Sequence, residues 1–464
     1  MKKLVLLGAA VAIAGYLGTV VYLNQFDKQQ TETLMNVSPL KETEQRAVAQ
    51  TLYKNGCQYC HTPSAELPAY KYVPGISTQM QKDIAAGNRV FRLDHLLEGM
   101  QDPSKLSEVD LAKLERVLLN DEMPIASFRH LHWGSVPDEA EKAILLKWIH
   151  EQRAAHFLPK ETEGTDATRL VQPIPDKLDT NPAEVALGEK LYHDTRFSKD
   201  DTLSCHSCHQ LEKGGIDGLA TSTGINGQKG DINAPTVFNA AFNKLQFWDG
   251  RADDLADQAS GPPLNPIEMG SDSWEQILAK FMQDEKFKQE FLSVYPEISK
   301  QTLTHAIGEF EKTLITPNSP FDRYLKGDTT ALTDSQIHGY ELFQQHKCDT
   351  CHTGSALGGQ SFEYMGLHDD YFAARGTPLT DADKGRFSKT QDPDDMHKFK
   401  VPTLRNIALT APYMHDARTD KLDEAVRLML KYQSGKTPVE SEVKDITNFL
   451  ESLTGELHGK SLAK

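Results

Sequence analysis

The 464-residue sequence predicts a mainly α-helical protein in which three similar modules follow an apolar N-terminal helix. Three observations support this fold class. A Cys-x-x-Cys-His motif occurs three times, and its first cysteines, Cys57, Cys205 and Cys348, are 148 and 143 residues apart. Stretches with apolar residues at helical spacing flank each motif, and strand signals are sparse. The repeat is coarse and long, so it indicates tandem domains rather than a solenoid.

Bulk composition is that of an ordinary globular protein and excludes one class of partner. Hydrophobic residues make up 39% of the chain and charged residues 25%, which suits a protein with a substantial buried core. The net charge of −16 argues against nucleic acid, because nucleic-acid binding selects basic surfaces.

The three motifs account for all six cysteines, so none is left for a disulfide. Cys-x-x-Cys-His is the attachment signature of c-type haem, in which two thiols bond the vinyl groups and the histidine ligates iron. A structural zinc site is the alternative, but zinc does not require a histidine directly after the second cysteine in all three cases. The predicted cofactors are therefore three covalently bound haem c groups, and the chain should be exported. The attachment cysteines are Cys57, Cys60, Cys205, Cys208, Cys348 and Cys351, and the iron-ligating histidines are His61, His209 and His352.

The N-terminus carries a candidate membrane anchor over residues 1–23. Two lysines precede an uncharged apolar run from Leu4 to Leu23, which as a helix would span about 30 Å. The lysines predict a cytoplasmic N-terminus and a body in the periplasm of a bacterium, with a single pass through the inner membrane. A signal peptide cleaved near Ala14 is the alternative, but it would leave an exposed apolar stub. Residues 24–44 are polar without periodicity and predict a tether.

The first module, residues 45–158, has the layout of a small cytochrome c domain. A helix precedes Cys57, and an apolar helical stripe closes the module. Met123, followed by a proline, is the predicted sixth haem ligand. A thioether ligand would raise the reduction potential and close the iron to substrates, so this module should transfer electrons. The alternative ligands are Met80, Met100, His130 and His132.

The rest of the chain repeats this plan twice. Residues 159–178 contain several prolines and charges and predict a linker. The second module, residues 179–316, begins with a helix that includes Leu191 and ends with one that includes Ile307. The third, residues 317–464, places Phe343 before its motif and ends in a helical stripe that includes Phe449.

Modules two and three resemble the bacterial di-haem cytochrome c peroxidases along nearly their whole length. The additional N-terminal module and membrane segment make the chain similar to the tri-haem, membrane-anchored quinol peroxidases. The matching runs are Ser204–His209, Asn233–Asn239, Gln246–Arg251, Asn265–Met269, Ser319–Asp322, Leu357–Gly359 and Leu404–Tyr413.

This resemblance implies different roles for the haems of the second and third modules. Peroxide would react at the haem on Cys205 and Cys208. The haem on Cys348 and Cys351 would store electrons with Met429 as distal ligand, for which Met414 and His415 are sequence neighbours that compete. Trp248 would lie between the two haems. A calcium ion would be held by Asn233, Thr410 and Pro412, the last two through carbonyl oxygens, since a hard cation prefers oxygen ligands.

Glu268 and Gln258 match the catalytic positions of that family, and their chemistry suits the reaction. Splitting peroxide heterolytically requires a base that takes a proton from one oxygen and returns it to the other, which a carboxylate can do. A neutral amide can orient peroxide without trapping the proton. Without the resemblance, a lone glutamate in a loop would be interpreted as a solvated surface residue.

Ile225 departs from the family pattern. Many di-haem members carry a histidine at this place in the glycine loop Gly224–Gly227, where it blocks the sixth position of the peroxidatic haem. Isoleucine cannot ligate iron, so we expect this haem to be open without reductive activation. His193 is the histidine best placed to replace the missing ligand.

The sequence therefore predicts a haem c peroxidase that reduces hydrogen peroxide with electrons from quinol or a cytochrome c. Its expected partners also include the membrane and a second copy of the chain in a homodimer. One alternative is a multihaem electron carrier, which would not require Glu268 or Gln258. The other is a di-haem enzyme that oxidises a protein substrate, a type with tyrosine at the position of Met429.

Overall fold

The computed structural model describes residues 2–463, with the side chains of Lys2 and Leu4 excepted. The chain divides into two compact units, of which the first ends at Phe157 and the second begins at Leu158. Both are mainly helical, as predicted. The α-helices described in the N-terminal unit are α1 Lys2–Val37, α2 Thr43–Lys54, α3 Gln58–His61, α4 Ile76–Val90, α5 Leu93–Gln101, α6 Glu108–Leu119, α7 Ala126–Arg129 and α8 Glu139–His156.

The core of the N-terminal unit is formed by the helices that flank the first motif. Val48 and Leu52 of α2 pack with Leu145 and Trp148 of α8, and all four are buried. Their spacing places them on one face of each helix, which is why the sequence predicted both elements correctly. Ile144, the neighbour of Leu145 in the predicted stripe, is 39% exposed and lies outside this core.

Helix α1 is longer than the predicted anchor. The segment Val5–Val37 contains an apolar stretch of 18 residues with a mean hydropathy of 2.0, and only 6% of that stretch is buried. By length and composition the helix could be a membrane span or a signal sequence. Residues 24–44, predicted to be an irregular tether, are helical up to Val37. They contain no glycine and no proline before Pro39, and glutamine, lysine and glutamate are good helix formers. Leu34 and Met35 pack against the core, so tertiary contacts also stabilise this extension.

The C-terminal unit contains both remaining motifs and very little strand. Its two small sheets are antiparallel, with β1 Phe362–Tyr364 paired to β2 Lys398–Lys400 and β3 Glu456–Leu457 paired to β4 Lys460–Ser461. The α-helices described here are α9 Pro182–Tyr192, α10 Cys205–Cys208, α11 Leu255–Ala259, α12 Trp274–Met282, α13 Glu285–Leu292, α14 Lys300–Glu311, α15 Pro320–Leu325, α16 Asp334–Gln345, α17 Tyr371–Arg375, α18 Phe387–Thr390, α19 Leu422–Tyr432 and α20 Glu440–Glu451.

Part of the predicted linker, residues 159–178, belongs to the core of this unit. Val171 is 1% exposed and pairs with Gly354 in a parallel bridge. Ile174 is fully buried, and its backbone N–H donates to Oδ1 of Asp322 at 3.1 Å. The prolines and charges of the segment suggested a linker, whereas these apolar residues bind it to the fold. The modules predicted at 179–316 and 317–464 both lie within this one unit, and their separation stays a prediction.

Two helix crossings in this unit are built in the same way. Helix α9 packs on α14 at Gly188, where an added Cβ would lie 1.9 Å from the carbonyl oxygen of Ala306. Helix α16 packs on α20 at Gly339, where a Cβ would lie 2.0 Å from the carbonyl oxygen of Asp445. Each pair joins the long helix that precedes the Cys-x-x-Cys-His motif to the last α-helix of one predicted module, so both modules pack these two helices in the same way.

Replacing Gly188 or Gly339 with alanine is expected to lower the free energy of unfolding by about 1–3 kcal/mol, because either methyl group would force the two helices apart. In an open helix the same change would be stabilising, since alanine is favoured over glycine by about 1 kcal/mol. Denaturant unfolding followed by circular dichroism measures the difference. A rise in stability would show that the crossings tolerate a larger residue.

Candidate active site

Each Cys-x-x-Cys-His motif forms one helical turn with two free thiols. The turns are α3, α10 and a 3₁₀ turn over Cys348–Thr350. In a helix, residues three apart lie on the same face, so the two cysteines of each motif are placed side by side. None of the six cysteines forms a disulfide. Burial raises the pKa of Cys205 to about 12, so this thiol is neutral.

Two of the three motif histidines, His61 and His352, are oriented as iron ligands would be. Nδ1 of His61 donates to the carbonyl oxygen of Phe91 at 3.0 Å, and Nδ1 of His352 donates to that of Leu357 at 3.0 Å. A hydrogen bond from Nδ1 to a carbonyl oxygen fixes the tautomer, because Nδ1 then carries the proton. The lone pair on Nε2 remains available for a metal. Burial lowers the pKa of His352 to about 4 and also lowers that of His209. Neutral histidines beside paired thiols fit covalent haem at all three motifs.

A cavity of about 360 Å³ adjoins the second motif. Cys205, Cys208 and His209 form one part of its wall, and apolar residues such as Pro263 and Ile307 form another. The polar side chains that line the cavity include those of Trp248, Arg251, Gln258, Asn265, Glu268, Glu311 and Lys400. The structure therefore brings the three predicted catalytic residues and the second haem motif to one cavity.

Glu268 is held at this cavity by its own turn. Oε1 of Glu268 accepts a hydrogen bond of 2.7 Å from Nδ2 of Asn265, three residues earlier. Burial raises the pKa of Glu268, whereas the charge of Arg251 and the Asn265 hydrogen bond oppose the rise. A carboxyl with a raised pKa can accept and return a proton near neutral pH more readily than a fully solvated one.

The glycine loop fixes the backbone of Glu268. The N–H of Ile225 donates to the carbonyl oxygen of Glu268 at 2.7 Å. Gly224 approaches so closely that a Cβ there would lie 2.0 Å from the carbonyl oxygen of Ile267. Only glycine allows this contact, so the loop packs directly against the turn that carries Glu268.

Ile225 itself is turned away from the cavity. Its side chain is 4% exposed and packs beneath Gly270, where a Cβ would lie 3.0 Å from Cγ2 of Ile225. His193 is not among the cavity residues either. It caps the C-terminal end of α9 and packs on His206, with the two ring centroids 4.6 Å apart.

Gln258 and Trp248 reach the cavity from different elements. Gln258 lies on the short helix α11, whose first turn is capped by Asp254. Trp248 is half-buried, and its Nε1 donates to the carbonyl oxygen of Asn233 at 2.8 Å. Its ring lies 6.4 Å from that of Phe399, in the aromatic cluster beside β2. Trp248 thus connects the cavity with the part of the unit that surrounds α19.

The predicted calcium ligands come from two segments that lie together. The N–H of Asn233 donates to the carbonyl oxygen of His415 at 2.9 Å, which brings Asn233 beside the loop that carries Thr410 and Pro412. Nδ2 of Asn233 donates to the carbonyl oxygen of Leu219 at 3.0 Å, so its Oδ1 is the atom that remains for a cation. These oxygens fit a hard cation by chemistry.

The alternatives to Met429 are engaged elsewhere. Nε2 of His415 contacts Oδ1 of Asp383 at 2.9 Å, and its ring stacks on Phe399. Met414 packs against the same aromatic cluster. Met429 lies half-buried on α19, with a side chain that takes no part in that cluster.

In the N-terminal unit the alternatives to Met123 differ in burial and in the partners of their side chains. Met100 is 4% exposed and belongs to the core, and both ring nitrogens of His132 have partners. Met80 is half-buried, and His130 is exposed. Met123 is 39% exposed in the loop after α6. Its ligation remains a prediction.

Sequence reasoning missed two buried charged residues of the cavity. Lys400 is 5% exposed, and burial lowers its pKa to about 7, opposed by Asp249. Glu311 is 5% exposed, and burial raises its pKa to about 8. A lone lysine in Phe399–Val401 or a lone glutamate at a helix end carries no local signal, because only the tertiary fold buries it. Asn265 could have been found as a turn residue three positions before Glu268.

Comparison with known proteins agrees with this geometry. The family described as "Di-haem cytochrome c peroxidase" matches residues 182–330, and that described as "Haem-binding domain" matches residues 15–151. The chain is 47% identical to the cytochrome c peroxidase Ccp of Escherichia coli K12 over 456 residues, which cover 98% of this chain and 97% of the relative.

Other relatives match about two thirds of the chain. The cytochrome c551 peroxidase of Pseudomonas aeruginosa is 41% identical over 311 residues, covering 66% of this chain and 87% of that protein. A solved MauG-like protein associated with microbial copper homeostasis is 30% identical with a TM-score of 0.54, covering 64% of this chain and 95% of that structure. The chain therefore belongs to the di-haem cytochrome c peroxidase family and is a haem peroxidase.

Proposed function

We propose that this protein is a tri-haem, membrane-anchored quinol peroxidase that reduces hydrogen peroxide to water at the haem of Cys205 and Cys208. One observation carries the proposal. One cavity is lined by these cysteines, by His209, by the proton-transferring carboxyl of Glu268 and by the amide of Gln258. The haem, when bound, supplies the iron that binds peroxide and delivers its electrons.

The protein side chains supply the proton chemistry. Glu268 takes a proton from one peroxide oxygen and returns it to the other, so that the O–O bond breaks with water as the leaving group. Gln258 donates a hydrogen bond that orients peroxide but cannot hold its proton. Two electrons and two protons then convert one hydrogen peroxide into two waters. Arg251 keeps the pKa of Glu268 from rising further and so keeps the carboxylate available.

The remaining two haems relay electrons in this proposal. His61 and Met123 would hold the N-terminal haem, which would accept electrons from the donor. His352 and Met429 would hold the third haem, which would store electrons, and Trp248 would lie between that haem and the peroxidatic one. Asn233 and the carbonyl groups of Thr410 and Pro412 would hold a calcium ion and so join the loops around Trp248.

The haem of Cys205 and Cys208 would be open in its resting state. Ile225 packs beneath Gly270, and among residues 2–463 His209, the residue that would hold this haem, is the one histidine that lines the cavity. The enzyme would then react with peroxide without prior reduction of the third haem.

The donor is quinol, reached through α1 as a single-pass anchor of the inner membrane, with the catalytic body in the periplasm. The apolar part of α1 is almost wholly exposed, as a lipid-facing helix would be. A cytochrome c is the alternative donor, and a homodimer is the proposed assembly.

Peroxide reduction by the detergent-solubilised full-length holoprotein tests these proposals. Turnover is expected with duroquinol as donor, and the haem content should be three per chain. Turnover with reduced cytochrome c but not with duroquinol would show that the donor is a cytochrome c and not quinol. Slow oxidation of the reduced protein without turnover would indicate an electron carrier. A bis-histidine, low-spin spectrum of the resting peroxidatic haem would contradict the open site.

A further inference from the structure

A hydrogen-bonded chain in the N-terminal unit connects α1 with the first haem motif. Asp27 of α1 accepts two hydrogen bonds, one from the hydroxyl of Tyr59 at 2.8 Å and one from Nδ1 of His132 at 2.7 Å. Nε2 of His132 lies 3.0 Å from the hydroxyl of Tyr70. His132 is 2% exposed, and Tyr59 lies inside the motif between Cys57 and Cys60.

The partners of His132 define where its protons lie. Because a carboxylate only accepts, Nδ1 of His132 carries the hydrogen that bonds Asp27. Nε2 then has a lone pair and accepts from the hydroxyl of Tyr70. If the Tyr70 proton moves to Nε2, the imidazolium formed is paired with Asp27, and the Tyr70 oxygen can take a proton from a ligand. The chain is therefore a proton acceptor with its outer end at Tyr70.

This outer end lies close to the membrane-facing part of the unit. Asp27 is roughly 6 Å beyond the apolar stretch of α1, at 1.5 Å per helical residue. The N–H of Ala69 donates to the hydroxyl of Tyr22 at 3.4 Å, and Nε1 of Trp133 donates to that of Tyr16 at 3.2 Å. Tyrosine and tryptophan favour the boundary between membrane and water.

The surface around Tyr70 suits a ligand that is partly apolar. Tyr70 is half-buried in the short 3₁₀ helix Ala69–Tyr72. Val73 and Ile76 follow it and are 45% and 43% exposed, and Trp133 is 52% exposed. Exposed apolar groups beside a polar acceptor are typical of sites that receive an amphipathic ligand from a lipid phase.

We propose that Tyr70, supported by His132 and Asp27, is the proton-accepting residue at which quinol is oxidised. The inference rests on the proposed function, in which quinol is the donor. A quinol gives up two electrons and two protons to become a quinone. Both electrons go in turn to the haem of Cys57 and Cys60 and finally to peroxide.

The protons leave through the hydrogen-bonded chain. The first breaks from a quinol hydroxyl and passes to the Tyr70 oxygen as the Tyr70 proton moves to Nε2 of His132. The Nδ1 proton of the imidazolium passes to Asp27, whose side chain is 18% exposed and releases the proton to water. The second proton follows by the same route once the imidazole has returned to its Nδ1–H tautomer. Tyr59 joins Asp27 to the haem motif, so the proton acceptor and the electron acceptor are held next to each other.

Tyr70→Phe tests the assignment, with Tyr72→Phe as the matched control. Tyr72 lies two residues away, is 78% exposed and has no part in the chain. Stopped-flow absorbance would follow reduction of the N-terminal haem in the full-length holoprotein by duroquinol. The same proteins would be reduced with hexaammineruthenium(II), which transfers an electron without a proton. Tyr70→Phe should slow reduction by duroquinol at least tenfold and leave reduction by the ruthenium complex unchanged.

Each other outcome overturns a different statement. If duroquinol does not reduce the wild-type protein, quinol is not the donor, and the proposed quinol site at Tyr70 is wrong as well. If duroquinol reduces wild type and Tyr70→Phe at the same rate, the donor stands and this site is wrong. If Tyr70→Phe is slowed equally with both reductants, Tyr70 supports the haem structurally and is not the proton acceptor.

Discussion

Glu268→Gln is expected to lower the rate of peroxide turnover by about 10²–10⁴-fold, the usual contribution of a positioned general base. Glutamine keeps the shape of the side chain and the oxygen that accepts from Nδ2 of Asn265. It cannot take a proton from peroxide. The loss should therefore lie in turnover, whereas haem content and the rate at which quinol reduces the N-terminal haem stay unchanged.

The exposed Glu275 of α12 provides the matched control. Glu275→Gln removes the same charge from the same unit but does not line the cavity, so its turnover should equal that of wild type. Equal turnover of Glu268→Gln and wild type would remove Glu268 from the reaction. A loss of haem in Glu268→Gln would instead assign it a structural role.

The pH dependence of turnover provides a second readout of the same residue. Burial raises the pKa of Glu268 above its ordinary value. The base is the carboxylate, so turnover should rise with pH through this raised pKa and be lost as the pH falls below it. In Glu268→Gln that acidic limb should disappear. A limb that persists in the variant would belong to another group.

Arg405→Met is expected to lower the free energy of unfolding of the C-terminal unit by about 3–5 kcal/mol, as when one partner of a buried ion pair is removed. Arg405 and Asp322 are both fully buried and lie 2.8 Å apart. Burial lowers the pKa of Arg405, and the Asp322 carboxylate opposes this. The variant leaves the Asp322 charge buried without its partner, which is the source of the loss.

The arginine also connects segments that are distant in the chain. Its guanidinium donates to the carbonyl oxygens of Ser355 at 2.8 Å and Gln172 at 3.0 Å, and to the hydroxyl of Ser319 at 3.1 Å. Denaturant unfolding followed by circular dichroism measures the effect.

Two further variants serve as controls for this measurement. The double variant Arg405→Met with Asp322→Leu should recover much of the loss, since no unpaired charge remains. Arg427→Met breaks the surface ion pairs with Asp423, Glu424 and Glu440 and should change stability less than Arg405→Met does. If Arg405→Met is as stable as Arg427→Met, the buried pair of Arg405 and Asp322 does not stabilise the C-terminal unit as proposed.

Local chemistry was predictable because it needs only neighbouring residues. The five residues of each Cys-x-x-Cys-His motif form a local signature that predicts haem attachment, and the structure forms each into a turn with free thiols. The apolar spacing in α2, α8, α9 and α20 likewise reports a local periodicity, and these helices were predicted correctly. Glu268 was found through the family resemblance and not through its own surroundings in the sequence.

The sequence by itself determined the three Cys-x-x-Cys-His motifs, the helical fold class and the family, because short runs of residues carry that information. Tertiary structure alone decided which distant groups meet. It buries Lys400 and Glu311 in the cavity, pairs Arg405 with Asp322 and turns Ile225 under Gly270. It also joins Asp27 to His132 across 105 residues. Such contacts follow from long-range packing, and burial then sets the charge and pKa of each group, which no local pattern encodes.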